Sequence, residues 1–295
     1  MAATLGDLVT EVRTLLRSYT NSHEAATHLT APALSTDLTL TVNDATQVTT
    51  GIVEIEDELV YVTASTGGSL LVAPYGRGYL GTTAAAHSAN VQVLNAPSFS
   101  RKQITDAINE TAQAIYPELF AVKSKNISYN SAQVTYDLNS DTDRVMAVSA
   151  DVVGPSKTWV PVTRWRMNPM ADPATFPSGK SIDILQGCRP GGNVRVVYAA
   201  AFSPLSTTAT TIASAGFQES HRDVLVYGAC WRLVQFLDAA RLKLNSVEQE
   251  ARSQFFQAGQ ASALTRQLLA LYNQRLDAER VKLLTLYPPT PRFSR

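Results

Sequence analysis

One segment of the sequence has the residue types of a nucleotide-binding loop. Residues 76–81, GRGYLG, spell G-x-G-x-x-G, which binds dinucleotides when a packing helix follows and an acidic residue stands about 20 residues later. Here the following segment, TTAAAHSANVQV, is too short for such a helix, and Arg101 and Lys102 stand where the acid should be. The context therefore predicts glycines that permit a tight turn between two strands, and no nucleotide cofactor.

A group of acidic residues is the second candidate for chemistry. Glu54, Glu56, Asp57 and Glu58 lie close together in the segment GIVEIEDELVYV, which would suit acid–base catalysis or calcium binding. The spacing lacks the Asp/Asn-Gly pattern of a calcium loop, and the alternating apolar residues around it are typical of a hairpin with a polar tip. We expect a structural role for these acids.

Other reactive residues are scattered. The four histidines, His23, His28, His87 and His221, show no metal-ligand spacing. No G-x-S-x-G motif of a serine hydrolase is present. Cys188 and Cys230 lie in unrelated sequence contexts, so neither a disulfide nor a metal site is indicated. In TRWRMNP, Arg164 and Arg166 flank Trp165, which could stack on a nucleic acid base or lie buried beneath the arginines. The sequence predicts no catalytic residue, no metal, no cofactor and no enzyme.

Charge is unevenly distributed along a chain whose formal net charge is zero. Residues 1–120 carry 5 Lys/Arg and 12 Asp/Glu, whereas residues 217–295 carry 11 Lys/Arg and 7 Asp/Glu. This polarity suits a protein whose faces meet different partners, or it is chance segregation of surface charge; it does not form the basic stripe of a DNA reader. The start of the sequence lacks signal-peptide character and no apolar run is long enough to span a bilayer, so we expect cytoplasmic synthesis and no membrane.

Helical and strand-like blocks alternate along the chain. Apolar spacing predicts helices near residues 3–18 and 98–120, the second with Ser100 and Gln103 as a capping box. Three more are predicted after residue 217, at 221–237, 245–258 and 262–287, the first buried on nearly all sides. We therefore predict an α+β fold: a helical core (1–25, 97–121 and 217–287) with two antiparallel β insertions (26–96, acidic, and 122–216) and an extended tail (288–295).

The module at residues 51–93 resembles a small β module that recurs in structural proteins of tailed bacteriophages. The resemblance rests on VEIEDELVYV, a Gly-rich hairpin and GRGYLGTTAAAH, which together cover under a quarter of the chain. The helix order, with the bundle that begins HRDVLVYGACWRLVQFL, resembles the head-to-tail connector, or adaptor, proteins of long-tailed phages. The two β insertions depart from the smallest members of that family.

The resemblance implies a structural virion protein of the phage neck, made in the host cytoplasm. In that family about twelve copies form a ring beneath the portal protein, next to a stopper or tail-tube terminator protein. Double-stranded DNA passes through the ring without sequence-specific binding. Two other classes remain open on the sequence alone: another phage tail, baseplate or adhesion component, and a virion-associated hydrolase.

Two sets of residues are predicted to meet other chains. The apolar face of the last helix suits a bundle partner or a neighbouring subunit and consists of Leu269, Tyr272, Leu276, Leu283 and Leu286. By resemblance, the C-terminal tail docks on the portal, through Tyr287, Pro288, Pro289, Pro291, Arg292, Phe293 and Arg295. The prolines would hold this tail extended, with Phe293 as an apolar anchor; the alternative is a frayed terminus.

Overall fold

The computed structural model describes residues 2–20, 24–152, 158–241 and 260–288. Within them the chain forms thirteen β-strands in three antiparallel sheets, together with four α-helices. The helices are α1 (Leu5–Thr20), α2 (Arg101–Ala114), α3 (Arg222–Arg241) and α4 (Gln260–Leu286). The strands are β1 (Ala26–His28), β2 (Thr39–Thr41), β3 (Gly51–Ile55), β4 (Glu58–Thr66), β5 (Ser69–Val72), β6 (Gln92–Asn95), β7 (Ala121–Ser128), β8 (Thr135–Asp137), β9 (Arg144–Val152), β10 (Thr158–Pro161), β11 (Trp165–Asn168), β12 (Ser181–Ile184) and β13 (Asn193–Ala200).

The prediction of a helical core with two β insertions is wrong, because the sheets dominate the architecture. Among the described residues, two of the three clusters of buried hydrophobic residues are formed by strands, and one is formed mainly by helices. Long apolar runs such as residues 224–237 stand out in a sequence, whereas short alternating strands do not reveal how many of them pair into one sheet. The sequence pattern predicts most of the strand segments. It does not predict that the sheets they form make up most of the architecture.

The first sheet has six strands in the order β1-β6-β3-β4-β5-β2. Leu29 directly follows β1 and Val42 directly follows β2, and these two residues form an isolated β-bridge. Because β1 and β2 are the two edge strands, the bridge shows that the sheet curls back on itself. Its interior is filled by alternate apolar residues such as Val53, Val60 and Leu70, all fully buried. This curled sheet places the glycine loop and the acidic group on one small framework.

The second and third sheets share one hydrophobic cluster. Strands β10-β9-β13-β7 form one sheet and β11-β12-β8 the other, both antiparallel. Val194, Val196 and Tyr198 of β13 alternate inward and share a cluster with Ile182 and Ile184 of β12. The period-two pattern of these strands thus produces a β-sandwich core of its own.

The four helices pack around the remaining cluster of buried hydrophobic residues, which we call the helical cluster. In α2, Ser100 caps the first turn by accepting from the Gln103 amide (3.2 Å), and the Gln103 side chain accepts from the Ser100 amide (3.0 Å), so the predicted capping box is confirmed. Helix α3 lies centrally, as expected, with Val224, Leu225 and Ala229 fully buried. The predicted helix at 245–258 lies outside the described residues. None of the described helices is long and apolar enough to cross a membrane.

Candidate functional site

The glycine loop is a turn between β5 and β6. Gly78 has a left-handed backbone (φ 60°), and a side chain at Gly76 would come within 2.7 Å of the Tyr61 carbonyl oxygen. The chain after Gly78 forms only a three-residue 3₁₀ turn, Tyr79–Gly81. The glycines therefore satisfy backbone geometry inside the sheet, and the loop lacks the following helix that would face a pyrophosphate.

A buried ion pair fixes this loop from the inside. The Arg77 guanidinium donates to both carboxylate oxygens of Glu58, from Nε at 2.8 Å and from Nη2 at 2.9 Å. These side chains are 6% and 1% exposed. Arg77 also donates to the carbonyl oxygens of Leu34 (2.6 Å), Asp37 (3.0 Å) and Ala85 (2.6 Å). One side chain thus links the β1–β2 and β5–β6 connections to β4 through bidentate and backbone hydrogen bonds.

The Glu58 carboxylate has further donors. The backbone amides of Gly78 (2.8 Å) and Ala85 (3.0 Å) donate to it, and His87 Nε2 lies 2.8 Å from it. Burial raises the pKa of Glu58, but hydrogen bonds from Arg77 and from the two amides outweigh burial and hold that pKa at about 2. A carboxylate so fully occupied is a structural anion and has no free lone pair for acid–base catalysis.

His87 completes the network. Its ring is buried between two carboxylates, with Nδ1 2.7 Å from Glu56 and Nε2 2.8 Å from Glu58. Of these two acids, Glu56 is about half exposed and lies at the rim. In the described residues no group of three His, Cys, Asp or Glu side chains could hold a metal ion. The network therefore positions the loop and offers no ligand set.

The other two acids join the first sheet to the helices. Arg13 of α1 donates to Glu54 (2.6 Å), which also accepts from the backbone amide of Arg101 (2.6 Å) at the start of α2. Asp57 pairs with the Arg101 side chain at 3.3 Å. A cleft of about 710 Å³ runs along this junction. The acids that line this cleft are held by structural partners. Glu54 and Asp57 therefore connect the first sheet to α1 and α2.

The structure places Trp165 partly in the core of the two packed sheets, which favours the buried alternative. Trp165 is half-buried and packs against the sandwich core, while Arg164 and Arg166 are exposed. Arg166 lies 3.8 Å from Asp183. Part of the Trp165 side chain is therefore covered by its own chain, which leaves less of it accessible for stacking on a base.

The predicted interface residues of α4 lie in different environments. Tyr272, Leu276 and Leu283 are buried in the helical cluster of their own chain, and Leu269 packs partly against it. Leu286 is exposed. The bundle-partner alternative therefore accounts for most of this face within one copy, and contact with a neighbouring subunit stays a prediction.

The predicted tail begins where the described chain ends. Tyr287 packs partly against the helical cluster and donates its amide to the Leu283 carbonyl oxygen (2.9 Å), and Pro288 is exposed. The remaining predicted docking residues lie outside the described residues: Pro289, Pro291, Arg292, Phe293 and Arg295. Docking of this tail on a portal stays a prediction.

Sequence reasoning missed a buried polar pair at the base of the helical cluster. His221, directly before α3, and Glu279 of α4 are both buried. Burial lowers the pKa of His221, with the Glu279 charge acting in the opposite direction. The rings of Phe202 and Phe217, stacked at 3.9 Å, enclose the histidine edge-on. No spacing signal links His221 to Glu279 or to Phe202, because these residues come from three separate segments of the chain; only Phe217 is near His221 in sequence.

Comparison with known families adds one finding. Residues 80–282, more than half of the chain, match a family model described as SU10 adaptor protein. The match begins inside the glycine loop and takes in α2, the β-sandwich, α3 and most of α4. A search of curated proteins found no match.

Proposed function

Because the chain belongs to the SU10 adaptor protein family, we propose that it forms a ring between the portal and the tail of a phage particle. In this proposal the portal protein binds one side of the ring, and a stopper or tail-tube terminator protein binds the other. Double-stranded DNA passes through the ring. About twelve identical copies would match the symmetry expected of a portal.

The family assignment carries the proposal. Members of this family are structural adaptor proteins of phages, which supports a structural role in the virion. The acids and the glycine loop, which could have supported an enzyme, are occupied in holding the fold together. What the chain offers instead is exposed apolar surface on two of its modules, such as Leu80 and Leu286.

The charge of the chain suits a channel that DNA slides through. Each phosphate paired with Lys or Arg adds affinity that falls with salt, so a continuous basic lining would hold the DNA in place. The formal net charge is zero, and the basic residues are offset by an equal number of acids. A ring of such copies would bind the passing DNA only weakly.

Assembly of the purified full-length chain tests the ring. We expect ring-shaped particles of about twelve copies by electron microscopy and light scattering, alone or after addition of the portal protein. A chain that stays monomeric in the presence of portal would overturn the proposal.

The tail has its own test. Deletion of residues 288–295 should abolish co-sedimentation with the portal, because the proline-stiffened segment loses little entropy when its Phe293 anchor binds. The Phe293→Ala variant separates the anchor from the prolines. Undiminished portal binding by the deletion would remove the tail from the interface.

A further inference from the structure

A buried histidine lies between the start of α3 and the neighbouring helix α4. His221 directly precedes α3 and is 2% exposed. The stacked side chains of Phe202 and Phe217 lie edge-on to its imidazole, with ring centroids 6.0 Å and 6.1 Å away. The imidazole is thus enclosed on this side by apolar groups, where a positive charge is costly.

One hydrogen bond fixes the tautomer of His221. The backbone amide of Gln218 lies 3.3 Å from His221 Nδ1 and donates to it. A backbone amide can only donate, so Nδ1 carries no proton and the imidazole is neutral, with its proton on Nε2. In the folded protein His221 therefore serves as a neutral hydrogen-bond acceptor.

This hydrogen bond closes the turn from which α3 begins. The 3₁₀ turn Glu219–His221 leads directly into the helix. Its first bond runs from the His221 amide to the Gln218 carbonyl oxygen (2.9 Å). Amides at a helix start have no partner within the helix, and the Gln218 amide finds its partner in the imidazole. A proton on Nδ1 would set two donors against each other and remove this bond.

Two charged groups of α4 face the imidazole. Burial lowers the pKa of His221 below its ordinary value of 6.5, the Glu279 charge acts to raise that pKa, and the Lys282 charge acts to lower it. Burial raises the pKa of Glu279, but hydrogen bonds from Lys282 and Ser220 outweigh burial and hold it below its ordinary value. Glu279 is therefore a carboxylate anion that offsets part of the cost of a charged imidazole.

The charged residues beside His221 in the sequence are engaged by other segments. Glu219 accepts a hydrogen bond from the Ala3 amide (2.9 Å). Arg222 pairs with Glu11 of α1 at 2.7 Å. The charges that act on the imidazole therefore come from α4.

From this geometry we propose that His221 is a proton-sensitive switch at the junction of α3 and α4. The neutral imidazole closes the turn before α3 and packs against the two phenylalanine rings. A proton on Nδ1 removes the bond to the Gln218 amide and places a charge beside those rings, so the turn opens. The proposal goes beyond the proposed assembly, because the switch works within one copy. It controls how firmly α4, which leads into the predicted docking tail, is held on its own chain.

The switch works in a defined pH range. In the opened turn His221 binds a proton with its ordinary pKa of 6.5, whereas in the closed turn burial holds its pKa lower. The open form therefore binds more protons between these two values, and the closed form loses stability as pH falls below 6.5. Above pH 6.5 the stabilisation is complete. The effect of Glu58 lies in a separate range, below pH 4.5.

Hydrogen exchange of the full-length chain tests the switch. The amides of Gln218, His221 and Arg222 are all hydrogen-bonded in this turn. Between pH 7.5 and pH 5.0 their opening should increase by about fivefold or more, after correction for the direct effect of pH on exchange. The Ile104 amide at the start of α2 is the internal control and should show no such increase.

Two variants change the acid effect in opposite directions. His221→Asn keeps an acceptor oxygen near the position of Nδ1 and does not titrate in this range, so it should remove the effect. Glu279→Gln removes the charge that favours a protonated imidazole in the fold, so it should enlarge the effect. The matched control is His28→Asn, at an exposed histidine of β1, which should leave the effect unchanged.

Nitrogen-15 NMR of the wild-type chain gives a test that no variant can spoil by misfolding. The His221 signals, assigned through proximity to Phe202 and Phe217, should show a proton on Nε2 alone at pH 7.5. An imidazole protonated on both nitrogens at that pH would overturn the proposal. An acid effect of equal size in the wild type and His221→Asn, or a smaller one in Glu279→Gln than in the wild type, would overturn it as well. None of these outcomes bears on the proposed assembly, which electron microscopy of the wild-type chain with portal tests separately.

Discussion

The first sheet and the helical cluster each bury a glutamate, but they use it differently. Glu58 of the sheet is enclosed by an arginine, two backbone amides and a histidine, and it fixes a loop that has little regular structure. Glu279 of α4 bonds to Lys282 on its own helix, at the rim of an apolar core. Short strands and long turns leave many backbone groups to satisfy, whereas helices satisfy their own. In the sheet the buried carboxylate therefore satisfies loop backbone groups, whereas the buried carboxylate of the helical cluster interacts with side chains such as Lys282 and His221.

Removal of Arg77 should give the largest effect. The Arg77→Met variant leaves the buried Glu58 carboxylate without its main partner, at a cost of about 3–5 kcal/mol in the free energy of unfolding. Urea unfolding followed by circular dichroism measures this cost. Arg166→Met, at an exposed arginine 3.8 Å from Asp183, is the control and should change stability by less than about 0.5 kcal/mol.

A second substitution sharpens the interpretation. In the double variant Arg77→Met/Glu58→Gln the buried charge is gone, so the loss should be smaller than the sum of the two single losses. Additive losses would mean that the ion pair does not hold the sheet.

Acid should weaken the sheet next. The folded pKa of Glu58 is about 2 against an ordinary value of 4.5, so its contribution is complete above pH 4.5 and is lost as pH falls toward 2. Between pH 6 and pH 3 the wild type should lose about 2 kcal/mol more than Glu58→Gln. Amide hydrogen exchange at Gly78 and Ala85 reports the same change locally. Equal acid sensitivity in the two proteins would contradict the assignment.

In the helical cluster, stability should be sensitive to an increase in side-chain volume at the contact between α2 and α3. A Cβ at Gly228 of α3 would lie 2.2 Å from Thr111 Cγ2 of α2 and 3.1 Å from the Tyr272 ring. Gly228→Ala should therefore cost about 1–2 kcal/mol, the overpacking penalty less the gain in helix propensity.

The rescue variant identifies the clash. Thr111→Ser removes the Cγ2 methyl and keeps the hydroxyl that donates to the Ala107 carbonyl oxygen (2.7 Å). Combined with Gly228→Ala it should recover part of the lost stability in thermal unfolding. A double variant no better than Gly228→Ala alone would argue against close α2–α3 packing as the cause.

The smallest effect is expected at the cap of α2. Ser100→Ala removes the acceptor for the Gln103 amide and should cost about 1 kcal/mol. Ser100→Asp, which retains an acceptor at the cap, is the matched control and should cost less. Urea unfolding distinguishes them, and equal losses would show that the cap is not stabilising.

The sequence was informative where the signal is local. The period-two pattern located β3, β4 and β5, and the spacing of Ser100 and Gln103 located the start of α2. The G-x-G-x-x-G segment lacks the following helix and acidic residue of a nucleotide-binding loop, and the turn predicted there instead is confirmed. The fold class was nevertheless mispredicted, because strand pairing joins residues far apart, such as Ala26 with Leu94, and no local pattern records it.

The candidate sites divide in the same way. The sequence determined which residues are acidic, apolar or turn-forming, since these properties belong to single residues and their neighbours. Only the tertiary structure decided that Glu58 is a buried anion, that Tyr272 faces its own core and that Leu80 faces solvent. Burial depends on what the rest of the chain places over a side chain, and that is set by contacts between distant segments.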